Sequence, residues 1–185
     1  MKRGRKIVAV AHCILNVNAK VYGIAQCPAG ATDLIKLLMD NGYGIIQLPC
    51  IEQAMCGIMR WGTVKNQLDF PAFRDRCHEL LNPIVNQIKD FANNGYKICG
   101  IIGVDGSPTC GVDYTCIGDW YGEVDEKFHV IEKSKTAKII PGKGVMICVL
   151  RELLARQSLD IPFFAIDEMS FGSGYQDLLK KIELS

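Results

Sequence analysis

A chain of 185 residues suits one domain with a sizeable core, and 49% apolar against 22% charged residues is a globular balance, not a disordered one. A net charge of +1 gives no electrostatic case for a nucleic-acid polymer or a membrane surface as partner. No run reaches the ~18 apolar residues of a membrane span.

The basic start "MKRGRK" reads as a solvated lead-in, because its charges stop at Lys6. "KIVAVAHC" (6–13) is a β-branched run and predicts a buried parallel strand. "IVAVAHCIL" is too short, and too soon followed by polar residues, for a secretory signal, so a cytoplasmic protein is expected. "TDLIKLLMD" (32–40) predicts a helix stopped by "NGYG", and "GIIQLPC" (44–50) a second strand. "DFPAFRDRCHELLNPIVNQIKDFANNG" predicts a long helix with a kink or break at Pro83.

"YKICGIIGVDG" is the third strand, followed by the loop "SPTCG". The polar stretch 112–128 has few periodic signals and reads as short irregular strands or a lid. "KGVMICVLRELLARQS" is an amphipathic helix, "IPFFAID" a fourth strand and "GYQDLLKKIE" a closing helix. Strand and helix alternate without repeats or linkers. The expectation is a single three-layer α/β domain over 1–185, with a mostly parallel sheet and cysteines converging at the carboxyl edge of its strands.

Nine cysteines, an odd number, argue against a disulfide framework in a reducing compartment and leave packing, metal binding and redox chemistry. Cysteine often packs as a small apolar group, which fits Cys77, Cys99 and Cys148 inside helical or apolar runs. Cys13, Cys50 and Cys110 differ: each sits where a predicted strand becomes a loop. The carboxyl ends of parallel strands share one edge, where ligands bind at the switch in strand order. Three thiols distant in sequence are therefore expected to meet. Structural zinc wants four ligands, commonly from C-x2-4-C pairs, and no such pair exists. Catalytic zinc with three thiolates and an iron–sulfur cluster with one open iron both remain.

Taken together, "AHCILN", "LPCIE" followed by "GIMRWG", and "GSPTCG" resemble the thiouracil desulfurase (TudS-like) family over about the first 115 residues. Members carry an N-terminal Cys, a Cys-Pro-Glu segment followed by Gly and Pro-Arg, then Ser-Pro-Ser-Cys-Gly. The resemblance implies a 4Fe-4S cluster held by Cys13, Cys50 and Cys110, whose open iron binds the sulfur of a small thiolated substrate. It further implies Glu52 as the proton-transfer group and Ser107 as a residue that orients water or substrate. The chain departs from the pattern at "PCIE", at "ILNVN" and at Val104 and Asp105. His12, Asn16, Asn18 and Asp105 then form a more polar rim, of which His12, Asn16 and Asp105 become candidate substrate-binding residues, pointing to a thiolated compound other than thiouracil.

Cys56 and Cys116 lie six residues after Cys50 and Cys110 and could be a fourth ligand or a sulfur carrier. Trp61, Tyr114, Trp120 and Tyr121 could stack a flat heterocycle or pack as core or lid. The expected function is an iron–sulfur-dependent desulfidase acting on a small thiolated compound such as a thiolated nucleobase. Alternatives are an iron–sulfur or zinc redox sensor, or a sulfur-transfer enzyme running the other way. The latter would need a nucleotide site, or a partner, to activate the acceptor, and no P-loop is present.

Overall fold

The computed structural model describes residues 3–122, 130–167 and 174–185. Its strands, in chain order, are β1 (Lys6–Val10), β2 (Tyr43–Gln47), β3 (Lys97–Asp105), β4 (Tyr114–Ile117), β5 (Lys138–Pro141) and β6 (Phe163–Asp167). The helices are α1 (His12–Leu15), α2 (Thr32–Asp40), α3 (Ile51–Cys56), α4 (Lys65–Leu68), α5 (Pro71–Asn93), α6 (Val130–Ser134), α7 (Val145–Arg156) and α8 (Tyr175–Leu184).

β1 buries Ile7 to Val10, as a strand covered on both faces must. It pairs in parallel with β2 on one side and β3 on the other, and β3 pairs in parallel with β6. The order β2-β1-β3-β6 makes a four-stranded parallel sheet that reverses direction of growth between β1 and β3. α5 packs on α7 and β3, while α2 packs on β2 and α8, so helices flank the sheet. This is the expected three-layer α/β architecture with a mostly parallel sheet. A single buried apolar cluster runs from Ile7 on β1 to Ile182 on α8.

Several boundaries differ from the sequence expectation. The first strand ends at Val10, three residues early, because Ile14 N–H bonds to the Ala11 carbonyl (3.0 Å) and Asn16 N–H to that of His12 (2.9 Å). Cys13 therefore sits in the short helix α1. β2 likewise stops at Gln47, and Cys50 becomes the residue that opens α3. "IEQAMC", expected as loop, is that helix, and it carries Cys56 out to an exposed position at its end. The expected break at Pro83 does not occur: α5 runs unbroken through it for 23 residues.

The stretch 112–128 contains β4, which pairs antiparallel with β5, a strand the periodicity did not announce. Residues 123–128 of that stretch lie outside the described residues.

Candidate functional site

The third thiol owes its position to close backbone packing. Val104 N–H bonds to the Cys110 carbonyl (3.0 Å), folding the loop back on β3. Gly103 permits this, since a Cβ there would run into the Cys110 carbonyl oxygen. Asp105, the last residue of β3, uses Oδ1 to accept backbone N–H bonds from Val112 (2.9 Å), Asp113 (2.9 Å) and Tyr114 (3.1 Å). Ser107 Oγ accepts the N–H of Cys110 (3.0 Å) and of Thr109 (3.3 Å).

The first turn of α7 closes the loop from the other side. Val145 N–H bonds to the Pro108 carbonyl (3.0 Å) and Ile147 N–H to that of Thr109 (3.2 Å). These helix-start donors have no intrahelical acceptor, so the loop supplies one. The Cys110 loop is thus held by a strand end, a carboxylate, a hydroxyl and a helix N-terminus.

Around it lies a cavity of about 160 Å³ lined by Cys13, Cys50 and Cys110. The three thiols come from the carboxyl ends of β1, β2 and β3, on either side of the switch in strand order, where parallel sheets place their ligands. Cys110 is 7% exposed, and Cys13 and Cys50 are half-buried. Burial pushes the Cys110 thiol well above the usual range, and the neighbouring Cys13 and Cys50 push it the same way. Burial also raises Cys50, against the pull of the Gln53 backbone N–H. Cys50 and Cys110 therefore favour the protonated thiol when bare, and a strong cation is needed to draw them into thiolates.

Cys116 lines the same cavity, its thiol 3.7 Å from the Thr63 carbonyl. Cys56 does not line it. Cys77 and Cys99 are buried in the core cluster, and Cys148 is half-buried on α7. The nine thiols form no disulfide. Among the described residues, no three His, Cys, Asp or Glu side chains stand close enough to hold one metal ion.

Glu52, in the first turn of α3, is 7% exposed and faces the cavity. Its Oε1 accepts from Thr109 Oγ1 (2.7 Å) and its Oε2 from Arg60 Nε (3.3 Å). Arg60 also donates to the carbonyls of Ala19 (2.8 Å) and Gly57 (3.2 Å), tying three segments to one carboxylate. Thr109 Oγ1 stands 3.2 Å from Ser107 Oγ and 3.6 Å from Cys110 Sγ. Two hydroxyls, a carboxylate and a thiol therefore form one connected polar chain.

His12, Asn16 and Asp105 do not line this cavity. Asn16 Oδ1 accepts from the Asn18 backbone and side-chain amides (3.2 and 3.0 Å), and Asp105 Oδ1 organises its loop. His12 opens α1, where burial lowers its pKa and favours the neutral ring. Sequence reasoning missed Arg60 and Thr109. Their only trace was the "GIMRWG" and "SPTCG" context, because a partner is visible only once the loops are packed.

Fold and site define a parallel α/β protein with a polythiol cavity at the switch point of its sheet. Over 135 residues the chain is 34% identical to the uncharacterized protein MJ0003 of Methanocaldococcus jannaschii, a match covering 71% of this chain and 85% of that protein. The chain belongs to the same family as that archaeal protein. No protein-family model matches it, and no solved structure does.

Proposed function

We propose that the protein is an iron–sulfur-dependent desulfidase that removes sulfur from a small thiolated compound such as a thiolated nucleobase, in the manner of the thiouracil desulfurase family it resembles. One observation carries the reading: thiols from three strand ends line a single cavity with a buried carboxylate. Three thiols lining one cavity suit the all-cysteine ligation that iron–sulfur clusters take.

Cys13, Cys50 and Cys110 would hold the 4Fe-4S cluster. Bound with three protein ligands, it would supply an open iron, a Lewis acid that favours soft sulfur. The overall conversion exchanges C=S for C=O, consuming one water and releasing hydrogen sulfide with no net electron. The chain's own part is proton handling. Glu52 takes a proton from water and returns one to the departing sulfur or ring nitrogen. Thr109 and Arg60 fix the carboxylate, and Ser107 orders the Cys110 loop.

A second reading has one observation in its favour: Cys116 lines the same cavity. As a fourth ligand it would close the cluster and make a redox sensor. Iron and acid-labile sulfide in anaerobically prepared protein, with hydrogen sulfide release from a panel of thiolated nucleobases, test both. About four irons and four sulfides, lost in C13A, C50A and C110A but kept in C116A, support the desulfidase. Loss of the cluster in C116A favours the closed site, and absence of iron removes both readings.

A further inference from the structure

The thiol cavity adjoins a larger one. Segments 17–25 and 58–61 line an open concavity of about 700 Å³, and Lys20, Val21 and Arg60 line both spaces. Sites that enclose whole small molecules measure roughly 300–1,000 Å³. The inner cavity, at about 160 Å³, falls below that range and the outer one within it. A substrate whose sulfur enters the inner cavity must therefore leave the rest of its body in the outer space.

The walls of the outer cavity are apolar and strongly exposed: Tyr22 98%, Met59 95%, Trp61 83% and Ile58 52%. Single exposed apolar side chains are ordinary, but four around one concavity mark a binding surface. At the inner side the side-chain oxygen of Thr63 is buried without a hydrogen-bond partner among the described residues, and Thr63 lines the thiol cavity. A buried unpaired hydroxyl is costly, so a ligand atom that meets it gains affinity.

We propose that the outer cavity seats an apolar substituent of the substrate, so that the protein takes a thiolated heterocycle bearing an alkyl or aryl group, ring first. The ring edge meets Thr63 Oγ1, and Tyr22, Met59 and Trp61 cover the substituent. The sulfur on that ligand rests on the desulfidase reading; the apolar seat rests on the walls alone.

Calorimetric binding to anaerobically prepared full-length protein tests it, with uracil, 6-propyluracil, 2-thiouracil and 6-propyl-2-thiouracil as probes. Iron content and sedimentation are measured on the same samples. Each propyl compound is expected to bind roughly tenfold tighter than its parent. Trp61→Ala and Tyr22→Ala, both at exposed positions, erase most of that gain and leave iron content unchanged. Thr63→Val weakens all four probes and keeps the propyl gain. A propyl gain in samples without iron still supports the seat while removing the desulfidase reading. The proposal is overturned if cluster-loaded protein binds no probe, if propyl adds nothing, or if the gain survives both aromatic substitutions. It is overturned equally if those substitutions change the oligomeric state and not the affinity, which would assign the surface to a protein contact.

Discussion

Glu52 is the proton-handling group of the proposed reaction, and its surroundings set what a substitution does. Both carboxylate oxygens are already engaged, one by Thr109 and one by Arg60. Glu52→Gln keeps the shape and removes the proton acceptor, so hydrogen sulfide release should fall by about 10²–10⁴ with iron content retained. Thr109 acts through its neighbours, as a positioning residue. Thr109→Ser keeps the hydroxyl and should stay near wild type. Thr109→Ala frees Glu52 Oε1 and should shift the pH profile of activity as well as its height. A uniform drop in both Thr109 variants, with an unmoved profile, would reduce Thr109 to packing. Glu52 and Ser107 were legible in the sequence through their motif context. Their hydrogen-bond partner was not, because nothing in "SPTCG" says that Thr109 meets a side chain 57 residues away.

At the scale of elements, the loop that carries Cys110 depends on two glycines. Gly103→Ala drives a Cβ into the Cys110 carbonyl, and Gly144 sits against the backbone of Thr109 in the same way. Overpacking of this kind costs about 1–3 kcal/mol. Gly103→Ala should therefore lower the urea midpoint and reduce iron retention together, whereas a cavity on the far side of the core would lower the midpoint alone. The helix α5 raises the opposite expectation. Pro83 lies exposed inside a continuous helix, where it removes a backbone donor. Pro83→Ala restores that donor and should stabilise the protein by up to ~3 kcal/mol, read as a higher thermal midpoint. Sequence periodicity located this helix but misjudged its continuity. Packing of α5 on α7 and β3 outweighs the local cost of proline.

For the molecule as a whole, buried thiols link stability to pH. Burial pushes the Cys77 thiol from 9.0 up to about 12, and burial also raises Cys99. A raised thiol binds its proton more tightly folded than unfolded. Its contribution is complete below pH 9 and is lost as pH rises toward about 12. Denaturant midpoints should fall steadily above pH 9, and Cys77→Ala should flatten that slope even if it lowers the midpoint at neutral pH. An unchanged slope would mean that the helix opens enough to ionise the thiol.

The sequence by itself determined the α/β alternation, the parallel sheet and the three thiols to watch, since these follow from local runs, turn residues and their order along the chain. The meeting of these thiols was expected from strand order as well; only the tertiary structure decided which other groups share their cavity. The antiparallel pairing of β4 with β5 accompanies Cys116 at the cavity, while the helical turn of "IEQAMC" carries Cys56 out to an exposed position. The loop closure on α7 joins Thr109 to Glu52, and the meeting of segments 17–25 and 58–61 builds the apolar vestibule. Local pattern fixes which face a residue prefers; convergence of side chains distant in sequence depends on register, crossing and loop packing, which the whole fold supplies.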